Sequence, residues 1–180
     1  MIGLLSSQSK LIQGAPFAGP PWQRAAALLA LALLAQITVL HYFTFRNAEC
    51  SPVLVVVVWY AIASDFRRAT IFGVCAGFLE DALSGGTGGA WTASTAVTAF
   101  FTAMLSRSFF SDSIPLLAAI LVVATLLRNA IFWWMMEIQG YPTGVGYVHF
   151  HQTLWQAGYN ALFMIASVLL SRYYAKGARE

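Results

Sequence analysis

Three charged side chains stand inside apolar stretches, where only paired or functional charges are tolerated. Glu80 and Asp81 adjoin near the end of one stretch, and Arg128 lies well inside another. An ionised group at such a position is costly in hydrocarbon and takes a partner or a task. Counted at 1.5 Å per residue from the ends facing the cytoplasm, all three sit roughly 20 Å up their helices. Matched depth makes them natural partners. Asp81 is four residues past Gly77, so both lie on nearly the same helical face, and Asp81 is expected to point into a bundle. Glu80 is rotated about 100° away. Asp81–Arg128 is therefore the expected pair, with Glu80 as the competing carboxylate.

Gly73 and Gly77 form a small-xxx-small pair that lets another helix approach closely. That face serves either the chain's own bundle or a partner helix, and the bundle is the favoured reading. Gly85, Gly86, Gly88 and Gly89 follow. Glycines in such density do not continue a stable helix, and they mark a tight outer turn or a re-entrant corner.

Other reactive chemistry is thin. The sequence has no Ser-His-Asp arrangement, phosphate loop or HExxH motif. His149-x-His151 falls in a Gly-rich outer segment and reads as solvated polar residues rather than a metal site. No catalytic residue, cofactor or metal is expected, and the chain is expected not to be an enzyme. Gln36 and His41 are candidates for hydrogen bonds between helices.

The elements that must position these residues are transmembrane helices. Of 180 residues, 59% are hydrophobic and 9% charged, with mean hydropathy +0.69. A soluble domain of this size needs far more charge. A span takes about 20 mostly apolar residues. Six candidates follow in order: 25–45, 52–66, 69–83, 90–106, 114–138 and 152–174. Ser64-Asp65-Phe66-Arg67-Arg68 divides the second from the third, since two arginines and an aspartate do not sit cheaply in hydrocarbon. Residues 1–24 read as a flexible cytoplasmic lead, 25–174 as a six-helix transmembrane domain and 175–180 as a cytoplasmic tail.

Lys10, Arg24, Arg67, Arg68, Arg107, Arg172, Lys176 and Arg179 fall on one side of these spans, and Arg46 alone on the other. Basic loops stay in the cytoplasm, so both termini are expected there. The net charge of +3 is thereby a topology signal, with some attraction to anionic lipid, and nucleic acid is not an expected partner. The first segment is too long, and lacks the small-residue site, for a cleaved signal peptide. Cys50 at the outer surface and Cys75 in mid-helix differ too much in depth to bridge, and Cys75 reads as a small core residue. Trp133, Trp134, Tyr141, Tyr147 and Trp155 read as an outer aromatic belt, with Tyr173 and Tyr174 inside.

One stretch resembles a known family. Pro52-Val-Leu-Val-Val-Val-Val-Trp opens a helix, a short basic loop follows, and then comes Gly73-x-x-x-Gly77-Phe-Leu-x-Asp81-x-Leu-Ser-Gly85 with Gly88 and Gly89 beyond. Together with length and six-helix topology, this is similar to the rod shape-determining protein MreD family, specifically over about residues 50–90. The family usually has a small residue or Leu where Glu80 stands, so the tandem acids are a departure. The lead before Arg24 is also long for the family.

The resemblance implies an all-α, multi-pass protein of the bacterial inner membrane, without enzymatic activity, serving as a scaffold of the cell elongation complex. It implies MreC as a binding partner, acting alongside the MreB filament, a shape-determining glycosyltransferase and a class B penicillin-binding protein. It also implies a six-helix fold similar to the substrate-binding subunits of energy-coupling-factor vitamin transporters. Such a subunit is the rival reading, and it would need an outer pocket around Trp91, Tyr141, Tyr147 and His149. A lipid or wall-precursor transporter is a third.

Overall fold

The computed structural model describes residues 20–38, 44, 48–85, 87–108, 113–142 and 146–177. They form six helices: α1 (Trp22–Thr38), α2 (Pro52–Ala63), α3 (Phe66–Ser84), α4 (Ala90–Ser108), α5 (Ile114–Ile138) and α6 (Gly146–Gly177). The residues that start and stop them are local. Ser51 caps α2, its hydroxyl accepting from the Leu54 N–H, and Pro52 takes the first turn, where its missing N–H costs nothing. Asp65 caps α3 through the Arg67 N–H at 2.9 Å. Only Ser64 and Asp65 separate α2 from α3: the break falls in the expected charge cluster, but Phe66, Arg67 and Arg68 form the first turn of α3 rather than a loop. Gly85 ends α3 at φ +70°, the left-handed conformation that glycine adopts without a Cβ clash.

Boundaries shift from the hydropathy reading at both ends. α1 starts at Trp22, three residues into the expected lead, because Trp22 packs edge-on against Tyr60 and Phe72. α6 starts at Gly146 rather than 152 and runs through the start of the expected tail to Gly177. Its 32 residues exceed the roughly 30 Å of a bilayer core by several turns. The far end of the expected first span, 39–45, lies largely outside the described residues, as do His41, Arg46, Lys10 and Gly86.

Chain neighbours pack antiparallel. Gly73 abuts Thr95 and Ala99 while Gly77 abuts Trp91 and Thr92, so α3 and α4 run in opposite directions. A Cβ on Gly77 would lie 2.5 Å from the Trp91 carbonyl oxygen, and one on Gly73 would lie 2.8 Å from the Ala99 Cβ. The small-residue face thus belongs to the chain's own bundle. α2 is central, with Val53, Leu54, Val57, Val58, Tyr60 and Ala61 all buried. A helix apolar all round requires such a position. On one side it meets Leu29, Leu33, Phe72 and Ala76, and on the other Ile120, Leu121, Ala124 and Met164.

Polarity is distributed inside out. Ser94, Thr95, Thr98, Thr125 and Asn160 have no exposed surface. Leu31, Leu34, Ile71, Phe78, Leu83, Phe101, Val123, Trp134 and Leu162 are exposed. Water-soluble chains avoid such extended apolar surfaces, whereas lipid favours them. Cys75 lies on the outward face of α3, a correction to its reading as a core residue: the buried face of that helix holds Phe72, Gly73, Ala76, Gly77 and Glu80. Cys50 and Cys75 are both free thiols. α5 and the first 25 residues of α6 are long and apolar enough to cross a membrane, while α1 and α2 are apolar but shorter than a full span.

Candidate functional site

Arg128 organises the interior. It sits on the inward face of α5, only 2% exposed. Its Nη2 donates to Glu80 Oε2 at 2.5 Å, Nη1 donates to Ser51 Oγ at 3.0 Å, and Nε donates to Thr95 Oγ1 at 3.1 Å. The indole of Trp91 covers the guanidinium, 4.5 Å from Cζ to the ring centroid. Trp91 in turn stacks on Phe132 at 3.9 Å. Desolvated cations are held by such a combination of charge, hydroxyls and an aromatic face.

The carboxylate is Glu80 and not Asp81, which corrects the expected pair. Asp81 faces α4 along with Gly73 and Gly77. Its carboxylate accepts from the Trp91 N–H at 3.1 Å, from the Thr92 N–H at 2.8 Å and from the Thr87 and Thr92 hydroxyls. Asp81 therefore caps the N-terminus of α4 from the neighbouring helix, where orphan N–H groups and the helix dipole favour an anion. The rotation of about 100° between consecutive residues separates the two roles, because one face of α3 is occupied by α4 and the next looks toward α5.

The network reaches every helix. Gln36 of α1 donates to Glu80 Oε1 at 3.4 Å and accepts from Ser51 Oγ. The Ser51 N–H donates to Asn160 Oδ1 at 2.8 Å, and Asn160 Nδ2 donates to Thr125 Oγ1 at 3.1 Å. Asn129 Nδ2 donates to Gln156 Oε1 at 2.8 Å, and Gln156 Nε2 donates to the Glu49 carbonyl at 3.0 Å. Of the two expected helix-linking residues, Gln36 does the work and His41 lies outside the described residues. Ser51, Thr95, Asn129, Gln156 and Asn160 were not singled out by sequence. One signal for them existed: Thr95, Thr98 and Thr102 recur at i, i+3 and i+7, a polar stripe in an otherwise apolar helix.

Two adjoining cavities open beside this core, at the end that carries the α3–α4 and α5–α6 links. The inner one, about 450 Å³, is bounded by Arg128, Glu80, Gln36, Ser51 and Trp91, with Leu33, Ile37 and Leu83 on its side wall. The outer one, about 420 Å³, is walled by Trp91, Phe132, Trp133, Tyr141, His149 and Asn129. Glu49, Ser84, Trp91 and Gln156 belong to both. Three of the four residues named for the rival pocket, Trp91, Tyr141 and His149, face this space, while Tyr147 is exposed elsewhere. His149 lies over Trp133, ring centroids 5.0 Å apart. No cluster of His, Cys, Asp or Glu with metal-ligand spacing occurs among the described residues.

The Gly73/Gly77 close approach, the Asp81 cap and the left-handed Gly85 are one local device that folds α3 onto α4. The motif that carries the family resemblance thus has a single structural task. The model of the family described as rod shape-determining protein MreD matches residues 21–176. The chain belongs to that family. Membership brings residence in a membrane and a role in rod-shape determination. No curated protein and no solved structure matches the chain. In this family member the residue beside the motif aspartate, Glu80, holds the buried arginine, so the tandem acids divide two structural roles between them.

Proposed function

We propose that this MreD-family chain is a non-enzymatic, multi-pass scaffold of the bacterial inner membrane. It binds MreC and, through that assembly, supports a shape-determining glycosyltransferase and a class B penicillin-binding protein alongside the MreB filament. The family match over residues 21–176 carries this reading. The chemistry of the core agrees with it: Arg128, Glu80 and Asp81 are engaged in holding helices together, which suits a rigid platform. All six helices cross the bilayer with both termini in the cytoplasm. Supporting this are the outward apolar residues on α1, α3, α4, α5 and α6 and the Lys and Arg residues that the order of the spans in the sequence assigns to one side. α2 needs no full apolar span of its own because protein surrounds it.

Depletion in a rod-shaped host tests the reading. Round cells are expected, together with MreC among the proteins that copurify with the tagged chain in mild detergent. Rods that persist and acquire a vitamin requirement would overturn it in favour of a vitamin-transporter subunit. Reporter fusions after Gly89 and after Glu180 are expected to report opposite compartments.

A further inference from the structure

We propose that the inner cavity is a binding site for the head of a zwitterionic phospholipid, entered sideways between α1 and α3. The inference rests on the six-span reading, which thiol labelling of Cys75 (Discussion) tests separately. The cavity's volume of about 450 Å³ falls within the ~300–1,000 Å³ typical of small-molecule sites. Its two ends differ in chemistry. The inner end presents Arg128 and Glu80, both more than nine-tenths buried. The side wall is Ile37 on α1 and Leu83 on α3, both exposed on the lipid-facing surface. A charged chamber with an apolar lateral mouth fits an amphiphile: the head enters and the acyl chains stay in the bilayer.

The charges choose the head. A guanidinium has five N–H donors, and three of those on Arg128 are given to Thr95, Ser51 and Glu80. The remaining two suit a phosphate oxygen. Each Glu80 oxygen accepts one bond from Arg128 or Gln36 and keeps a lone pair for an ammonium. The Glu80 carboxylate beside the guanidinium disfavours a head that is only anionic. A head with phosphate and ammonium a few bonds apart matches the adjacent cation and anion.

The test is native mass spectrometry of the purified full-length chain, delipidated in mild detergent and titrated with phosphatidylethanolamine or phosphatidylglycerol. One phosphatidylethanolamine per chain is expected, retained at least about tenfold more tightly than phosphatidylglycerol, as loss of one charge-assisted bond implies. Ser84→Trp, which fills the wall from an exposed position, is expected to lower occupancy by a similar factor, and Phe78→Trp on the outward face is expected to leave it unchanged. If Ser84→Trp does not elute as a folded species, Ile37→Trp at the mouth serves, and the headgroup preference of the parent chain stands as an independent reading. Equal or greater retention of phosphatidylglycerol, no retained lipid, or full occupancy in a folded cavity-filling variant would overturn the proposal. Absence of lipid with Cys75 protected in the membrane defeats the lipid site alone. Cys75 freely labelled defeats the spanning reading beneath it.

Discussion

Removing Glu80 is the most informative perturbation. Arg128 is buried, only 2% exposed, and in Glu80→Ala its guanidinium loses the carboxylate it is paired with. Breaking a buried ion pair from one side costs about 3–5 kcal/mol, because the orphaned charge stays desolvated. Insertion scales give about 2.5–3.5 kcal/mol for an unpaired charge mid-membrane. Ser51, Thr95 and the Trp91 face still solvate Arg128, so the expected loss is near the low end, about 3 kcal/mol. Asp81→Ala removes a helix cap at the partly exposed end of α3. Caps are worth about 0.5–2 kcal/mol, so this variant is expected to be the milder by roughly tenfold in folded population. Exchanging both partners of the pair for apolar residues, Glu80→Leu with Arg128→Met, removes the stranded charge and is expected to recover most of the loss. The assay is reversible denaturation by SDS in mixed micelles, followed by tryptophan fluorescence. If Asp81→Ala is as damaging as Glu80→Ala, or if the apolar double variant is no better than Glu80→Ala, the assignment of the pair is wrong.

Gly77→Ala is expected to cost about 1–3 kcal/mol, because its Cβ would meet the α4 backbone at 2.5 Å. Gly85→Ala meets no atom within 4 Å and pays only for its φ of +70°, about 1 kcal/mol; folded yield after detergent extraction ranks the two. Asn160→Leu strands the Ser51 N–H and removes the donor to the Thr125 hydroxyl, which keeps its bond to the Leu121 carbonyl, at about 1–3 kcal/mol, visible as a lower SDS midpoint. In intact membranes, Cys75 on the outward face of α3 is expected to resist a water-soluble maleimide and to react after SDS. Burial pushes the Cys50 thiol up to about 11, so it stays protonated at pH 7–9, and its labelling is expected to be slow and to accelerate as pH rises toward that value.

Hydropathy alone located six helices because apolar runs are a local, additive property of the chain, and caps and breakers such as Ser51-Pro52, Ser64-Asp65 and Gly85 act on their immediate neighbours. The face shared by Gly73, Gly77 and Asp81 was also legible, since it needs only the 3.6-residue period. The depth of Arg128 followed from counting along one helix. Its partner did not. Glu80 and Asp81 have the same height, and they differ only in angle around α3. What lies at each angle depends on where α4 and α5 pack, and that is settled by contacts distant in sequence. The glycine face admits the α4 backbone, which hands Asp81 to the first N–H groups of α4 and turns Glu80 inward to Arg128. Cys75 was misplaced for the same reason, because mid-helix position fixes depth but not which side meets lipid. The bonds of Ser51 to Asn160 and of Asn129 to Gln156 join residues far apart in the chain, and no local pattern pairs them. Only the assembled bundle brings those polar groups together and leaves the two cavities beside them.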